Sequence, residues 1–219
     1  VPARAGSTIL TLLVRPAAGP VVQALAKRPL RLGELVAELD GPSAGTLRAR
    51  LDDLVALGAV AKKGGGMPYA VWNELNALGR DLLRVVDTVD AWLAQAPQGP
   101  IPLGGVAAKR ALRALVGAWD STMLQLLATG PRSLVALNRE IAELNYPALE
   151  RRFATLRSTE IVEAAPSGVG HPVAISRWGR EGAGPLLAAA RFEGDHMAKK
   201  TAPLTPAEEE TLSRLAVGP

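Results

Sequence analysis

Residues 44–75, AGTLRARLDDLVALGAVAKKGGGMPYAVWNEL, change from a helical period to a strand-like alternation at Gly58, and that change decides the fold. Leu47, Leu51 and Leu54 recur four and three apart, the mark of one buried helix face, and Gly58 stops the run. A short β-like run carrying Lys62 and Lys63 follows, then three glycines and the apolar return YAVWNEL, which together read as a two-stranded hairpin. Lysine beside glycines also suits a phosphate-cradling loop, but that loop places its lysine after the glycines and runs straight into a helix. Here Lys62 and Lys63 come first, and Met67-Pro68 leads into a strand-like return. The nucleotide-loop reading fails on residue order.

The flanks supply the rest of the unit. GPVVQALAK (19–27) is a short apolar helix ending before Pro29. RLGELVAEL (31–39) places Leu32, Leu35, Val36 and Leu39 on one side, and DGPS is a turn with Ser43 as N-cap of the next helix. Beyond the hairpin, Asn76 caps a helix over 77–94 whose Leu78, Leu82, Val85, Val86, Val89, Trp92 and Leu93 form one apolar stripe. The order is helix, helix, turn, helix, hairpin, helix. That is the winged helix-turn-helix arrangement, in which the third helix enters the major groove and the hairpin touches the backbone.

The chain then repeats. Residues 23–60 and 125–162 align without a gap at an offset of 102, with 11 of 38 positions identical, among them Pro29/Pro131, Leu35/Leu137, Leu47/Leu149, Arg50/Arg152 and Leu54/Leu156. With one inserted residue the parallel runs on, pairing Leu75 with Trp178 and Gly79 with Gly182. The expected fold class is therefore mainly α (α+β), as tandem winged helix-turn-helix domains. The first spans 1–96 (helix-turn-helix about 31–57, wing about 60–75, packing helix about 77–94). A Pro/Gly-rich linker covers 97–105, and the second domain spans 106–198 (helix-turn-helix about 133–158, wing about 161–177). The tail 199–219 carries a short helix over about 206–216, with Thr205, Pro206 and Glu208 forming a capping box.

Composition narrows the function. Apolar residues make up 48% of the 219, enough for a buried core. The net charge is +4, with 11 basic against 9 acidic residues up to Ala96 and 14 against 12 from Pro97 onward, so any nucleic-acid surface is a local stripe. There is no cysteine, and His171 and His196 lie in unrelated contexts without ligand spacing, so no metal site, cofactor or nucleophile–base–orienter set is implied. The expectation is a protein that is not an enzyme. No run of about 18 apolar residues exists and no basic-then-apolar leader opens the chain, which places it in the cytoplasm, away from membranes. The start at Val1 points to trimming or to a piece of a longer protein.

On helix 44–57, Thr46 and Arg48 lie about 100° to either side of the buried face and Ala49 points away. Ser43, Gly45, Thr46 and Arg48 on its first turns and Lys62 and Lys63 on the wing are the candidate contacts to double-stranded DNA, whereas Asp52 and Asp53 would repel a backbone. Two readings stand for Arg50: a DNA contact, or a structural residue paired with an acid such as Glu34. In the second copy Arg151, Arg152 and Arg157 are candidates, with Arg151 and Arg157 read either as phosphate contacts or as a solvated basic face. Glu150 stands where Arg48 stood, and the second wing carries Glu163 and no lysine. Tyr146 either contacts DNA or packs at the head of its helix. Leu82, Val86, Val89 and Trp92 mark a core, a dimer helix or a pocket wall.

The chain from about residue 20 to 93 resembles the HxlR family of bacterial winged-helix transcription regulators, with the MarR family as a broader relative. The matching positions are Pro29, Arg31-Leu32, Glu34-Leu35, Leu47, Arg50-Leu51, Gly58-Ala59-Val60 and Leu75-Asn76-Ala77-Leu78-Gly79. Leu32 replaces the family's aromatic, the wing lacks its proline-arginine pair, and two units replace the family's single one. The resemblance implies a DNA-binding transcription regulator acting as a two-fold pair of winged helices, either a homodimer or an intrachain pseudo-dimer. Two alternatives accompany it. One is a tandem winged-helix interaction scaffold resembling chromosome-segregation subunits of the ScpB family. The other is a regulator answering a small-molecule effector held between the units.

Overall fold

The computed structural model describes residues 7–64, 71–165 and 172–197, together with Glu210 and Ser213. Side-chain caps start six of its helices. Helix α4 (Ala44–Leu57) starts where Ser43 Oγ accepts the Thr46 N–H at 3.2 Å. It stops where Gly58 turns left-handed (φ 86°), letting the Ala59 N–H return to the Leu54 carbonyl at 2.9 Å. Leu47, Leu51 and Leu54 are buried. Before it lie α1 (Thr8–Leu13), α2 (Ala18–Lys27) and α3 (Leu32–Glu38). After it, β1 (Val60–Lys63) pairs antiparallel with β2 (Trp72–Leu75), from Val60↔Leu75 to Lys63↔Trp72, and α5 (Ala77–Leu93) follows behind its Asn76 cap. The expected return strand YAVWNEL begins only at Trp72; Tyr69 and Ala70 lie outside the described residues.

The same order recurs in α6 (Val106–Val116), α7 (Ala118–Ala128), α8 (Leu134–Glu140), α9 (Tyr146–Ser158), β3 (Val162–Ala164), β4 (Val173–Ile175), α10 (Arg177–Glu181) and α11 (Ala183–Met197). The described residues thus form a mainly helical structure with two small antiparallel two-stranded sheets. The bounds of α8 are those of α3 moved by 102. Beyond the second hairpin, however, the expected alignment is wrong. Val60 faces Leu75 and Val162 faces Ile175, so the counterpart of Leu75 is Ile175 and the offset drops to 100. Asn76 Oδ1 accepts the Gly79 N–H at 3.0 Å, and Ser176 Oγ accepts the Gly179 N–H at 2.9 Å. A Cβ on Gly79 would sit 2.2 Å from the Ala59 carbonyl oxygen, and one on Gly179 would sit 2.1 Å from that of Ile161. Arg80 and Arg180 close the parallel by donating to the carbonyls of Leu75 and Ile175. The second hairpin is two residues shorter, and Gly179, not Gly182, is the partner of Gly79.

Three further differences from the sequence reading have local causes. Helix α1 was not expected, because six residues are too few to show a period. Its Ile9, Leu10 and Leu13 are buried, and it packs on α6 and α11. Val36 is 40% exposed although it was placed on the inner face of α3. That helix is two turns long and centres its contact on Leu35, leaving Val36 about 100° off the buried direction. Residues 97–105 are laid against α2, where a Cβ on Gly19 would collide with Leu103. In the tail, Glu210 and Ser213 are helical, and the rest of the 206–216 expectation lies outside the described residues.

The two series meet along α5 and α11, and α1 packs on α6. Trp92 and Trp178 stack there with centroids 4.6 Å apart. Among the described residues no helix is long and apolar enough to cross a membrane.

Glu160 occupies the place of Gly58 and, like it, is left-handed (φ 59°). Glu160→Gly is expected to stabilise the fold by about 1 kcal/mol by removing that strain. Gly179→Ala is expected to destabilise it by about 1–3 kcal/mol through the collision with the Ile161 carbonyl. Urea unfolding of the two variants checks both signs.

Candidate nucleic-acid interface

Helix α4 presents Ser43, Gly45, Arg48, Ala49 and Asp52 to solvent, with Thr46 half-buried beside them. The Ser43 hydroxyl is already engaged as the cap and lies 3.0 Å from Thr46 Oγ1. Arg48 is exposed and has no ion-pair partner among the described residues. Arg50 is placed differently. Its side chain is only 15% exposed and its Nη1 lies 2.6 Å from Asp53 Oδ2, but neither of these atoms nor its Nε makes a hydrogen bond. Of its two readings the placement fits the structural one, with a different partner: Glu34 instead meets Arg28 at 3.6 Å and accepts the Arg31 N–H at 2.7 Å. Position 50 lies about 60° from the buried axis of the helix. Asp53, expected to point outward, is held between Arg50 and Arg15.

The hairpin is fixed to the helices by a buried asparagine. Asn73 exchanges backbone hydrogen bonds with Leu30 at 2.9 and 3.0 Å, and its Nδ2 donates to the Leu30 carbonyl at 3.0 Å. Leu30 lies two residues before α3, so these bonds tie strand β2 to the start of that helix. The backbone bridge recurs between Arg132 and Val173. Sequence reasoning missed Asn73, whose only signal was a polar residue at an inward position of the return strand. It also gave Arg31 no role beyond a family position, yet its guanidinium lies 4.2 Å over the Trp72 ring.

Lys62 and Lys63 are exposed, but each has an intrachain partner: Lys62 meets Asp52 at 2.9 Å and Lys63 meets Glu74 at 2.7 Å. Asp52 therefore neutralises Lys62 of the hairpin as well as facing outward from α4. The two elements are thereby joined at their outer edges.

On the second series Arg151 points outward from α9 and Arg157 is exposed, neither with an ion-pair partner among the described residues. Arg157 lines an open groove of about 450 Å³ with Leu134, Glu150, Phe153, Ala154 and Ser158. Arg152 meets Asp120 of α7 at 3.4 Å with 39% of its side chain exposed. Burial pushes the Asp120 carboxyl above its ordinary range, against the opposing charge and hydrogen bond of Arg152. Tyr146 is 38% exposed at the head of α9.

Leu82, Val86, Val89 and Trp92 are buried inside the chain. His171 lies outside the described residues. His196 meets Asp81 of α5 at 3.1 Å and packs on Phe192. Among the described residues no group of histidine or carboxylate side chains could hold a metal ion. Comparison with known proteins finds no matching family model and no matching curated protein.

Because the folded chain binds the Asp120 proton more tightly than the unfolded chain does, this group's contribution to stability is largest below the unfolded value of about 3.9. It falls as the pH rises through the higher folded value. Asp120→Asn removes that slope, so the variant is expected to gain stability relative to the parent as the pH rises from the unfolded value through the raised folded value. Urea midpoints across that range test it.

Proposed function

We propose that the chain is a DNA-binding regulator of HxlR type, built as two winged helix-turn-helix units in tandem. The first turns of α4 enter the major groove and the β1–β2 hairpin rests on the backbone. The observation that carries this reading is the Leu30–Asn73 bridge, which holds the hairpin beside the helix-turn-helix and recurs at Arg132–Val173. A hairpin tied there by buried hydrogen bonds is positioned for contact instead of hanging free. The packing of α5 on α11 and of α1 on α6 supports an intrachain pseudo-dimer. Ser43, Gly45, Thr46, Arg48, Lys62 and Lys63 make the contacts of the first unit.

The paired lysines bear on this reading in two ways. Exposed ion pairs contribute only about 0–1 kcal/mol, so a phosphate displaces Asp52 or Glu74 at little cost. The same neutralisation is also the one observation favouring a protein-interaction scaffold, because it leaves the wing without free charge.

Fluorescence anisotropy with a mixed-sequence duplex separates the two. Lys62→Ala with Lys63→Ala is expected to weaken binding across sequences and to lower the salt slope by about 2. Asp52→Asn with Glu74→Gln should tighten it by freeing both lysines. Absence of salt-dependent duplex binding by the parent protein would favour the scaffold.

A further inference from the structure

We propose that one chain reads a single asymmetric duplex site composed of two unlike half-sites, without a second copy of itself. The inference rests on the DNA-binding reading above and goes further by naming the class of duplex. A two-fold homodimer presents the same side chains twice, which is why such proteins meet palindromic operators. Here the two presenting helices belong to one chain, and their relative placement is set by buried contacts. Trp92 Nε1 donates to the Trp178 carbonyl at 3.0 Å, and Trp178 Nε1 donates to the Trp92 carbonyl at 2.9 Å. Glu193 of α11 accepts the Ser7 hydroxyl at 2.7 Å and the Ile9 N–H at 2.8 Å, which ties down the start of α1.

The faces so joined are chemically unlike. Position by position at an offset of 102, Arg48 becomes Glu150, Ala49 becomes Arg151, and Thr46 becomes Ala148. Arg48, Glu150 and Arg151 are all exposed. Arginine recognises guanine through O6 and N7, whereas a glutamate accepts from the cytosine amino group and is repelled by phosphate. The two helices therefore ask for different bases at equivalent steps. The wings differ in the same sense. Lys62 pairs across its hairpin with Asn73, and the equivalent place opposite Val173 holds Ala164. Backbone contact is thus weighted toward the first half-site and base discrimination is divided between both.

The test is selection from a random duplex library with the full chain, followed by native mass spectrometry on the selected site. The expected result is a non-palindromic consensus carrying one chain per duplex. Arg48→Ala should lose about tenfold discrimination at positions in one half only, and Glu150→Ala and Arg151→Ala a similar factor in the other half only. A palindromic consensus occupied by two chains, with Arg48→Ala relaxing both halves alike, would overturn the inference while leaving DNA binding intact. A short consensus insensitive to Glu150 and Arg151 would also overturn it, since only one unit would then be reading. Failure to enrich any duplex, with no salt-dependent binding, removes the DNA-binding reading itself and the inference with it.

Discussion

Two indole rings, stacked with planes 9° apart, hold the halves of this chain in one relation. A buried indole N–H needs an acceptor, and each of these finds one on the backbone beneath the other ring. The arrangement is reciprocal, so neither donor can be satisfied if α5 slides or rotates against the α10–α11 segment. Stacking alone would tolerate such movement; the paired hydrogen bonds do not. Gly182 completes the constraint. A Cβ there would press on Leu115 and approach Trp92 Cζ2 to 3.4 Å, and the glycine marks the break between α10 and α11. Helix α5 runs unbroken through the corresponding region, so the two halves accommodate one shared contact by different means.

Much of the fold was legible because its signals are local. The Leu47–Leu51–Leu54 face, the Ser43 and Asn76 caps and the stop at Gly58 each need only a few neighbouring residues. Repetition sharpened these, since the α8 and α9 faces restate those of α3 and α4. What failed was the alignment across a hairpin of changed length. Trp178 and Gly182 lie in a stretch rich in glycine and alanine, where several registers look equally good as text. Only the pairing of strands and the collision at Gly179 distinguish them.

The candidate site was less legible, and for an electrostatic reason. Sequence gives the sign of a charge but not what stands opposite it. Asp120 is 32 residues from Arg152, and Asp52 is ten from Lys62, across a helix end and a strand. Arg50 and Arg152 are bare letters in the sequence, which does not show that Asp53 and Asp120 stand beside them. The exposed α4 face is close to balanced, with Asp52 beside an Arg48 that has no ion-pair partner among the described residues.

The α5–α11 contact has one more consequence, which concerns dilution. In an assembly of separate subunits the fraction paired falls as the protein becomes scarce. Here both sides of the contact lie on the same polypeptide, so each meets the other at a local concentration fixed by the connecting chain. The paired form is then as complete at a few molecules per cell as at thousands, and its abundance follows the chain's own in direct proportion.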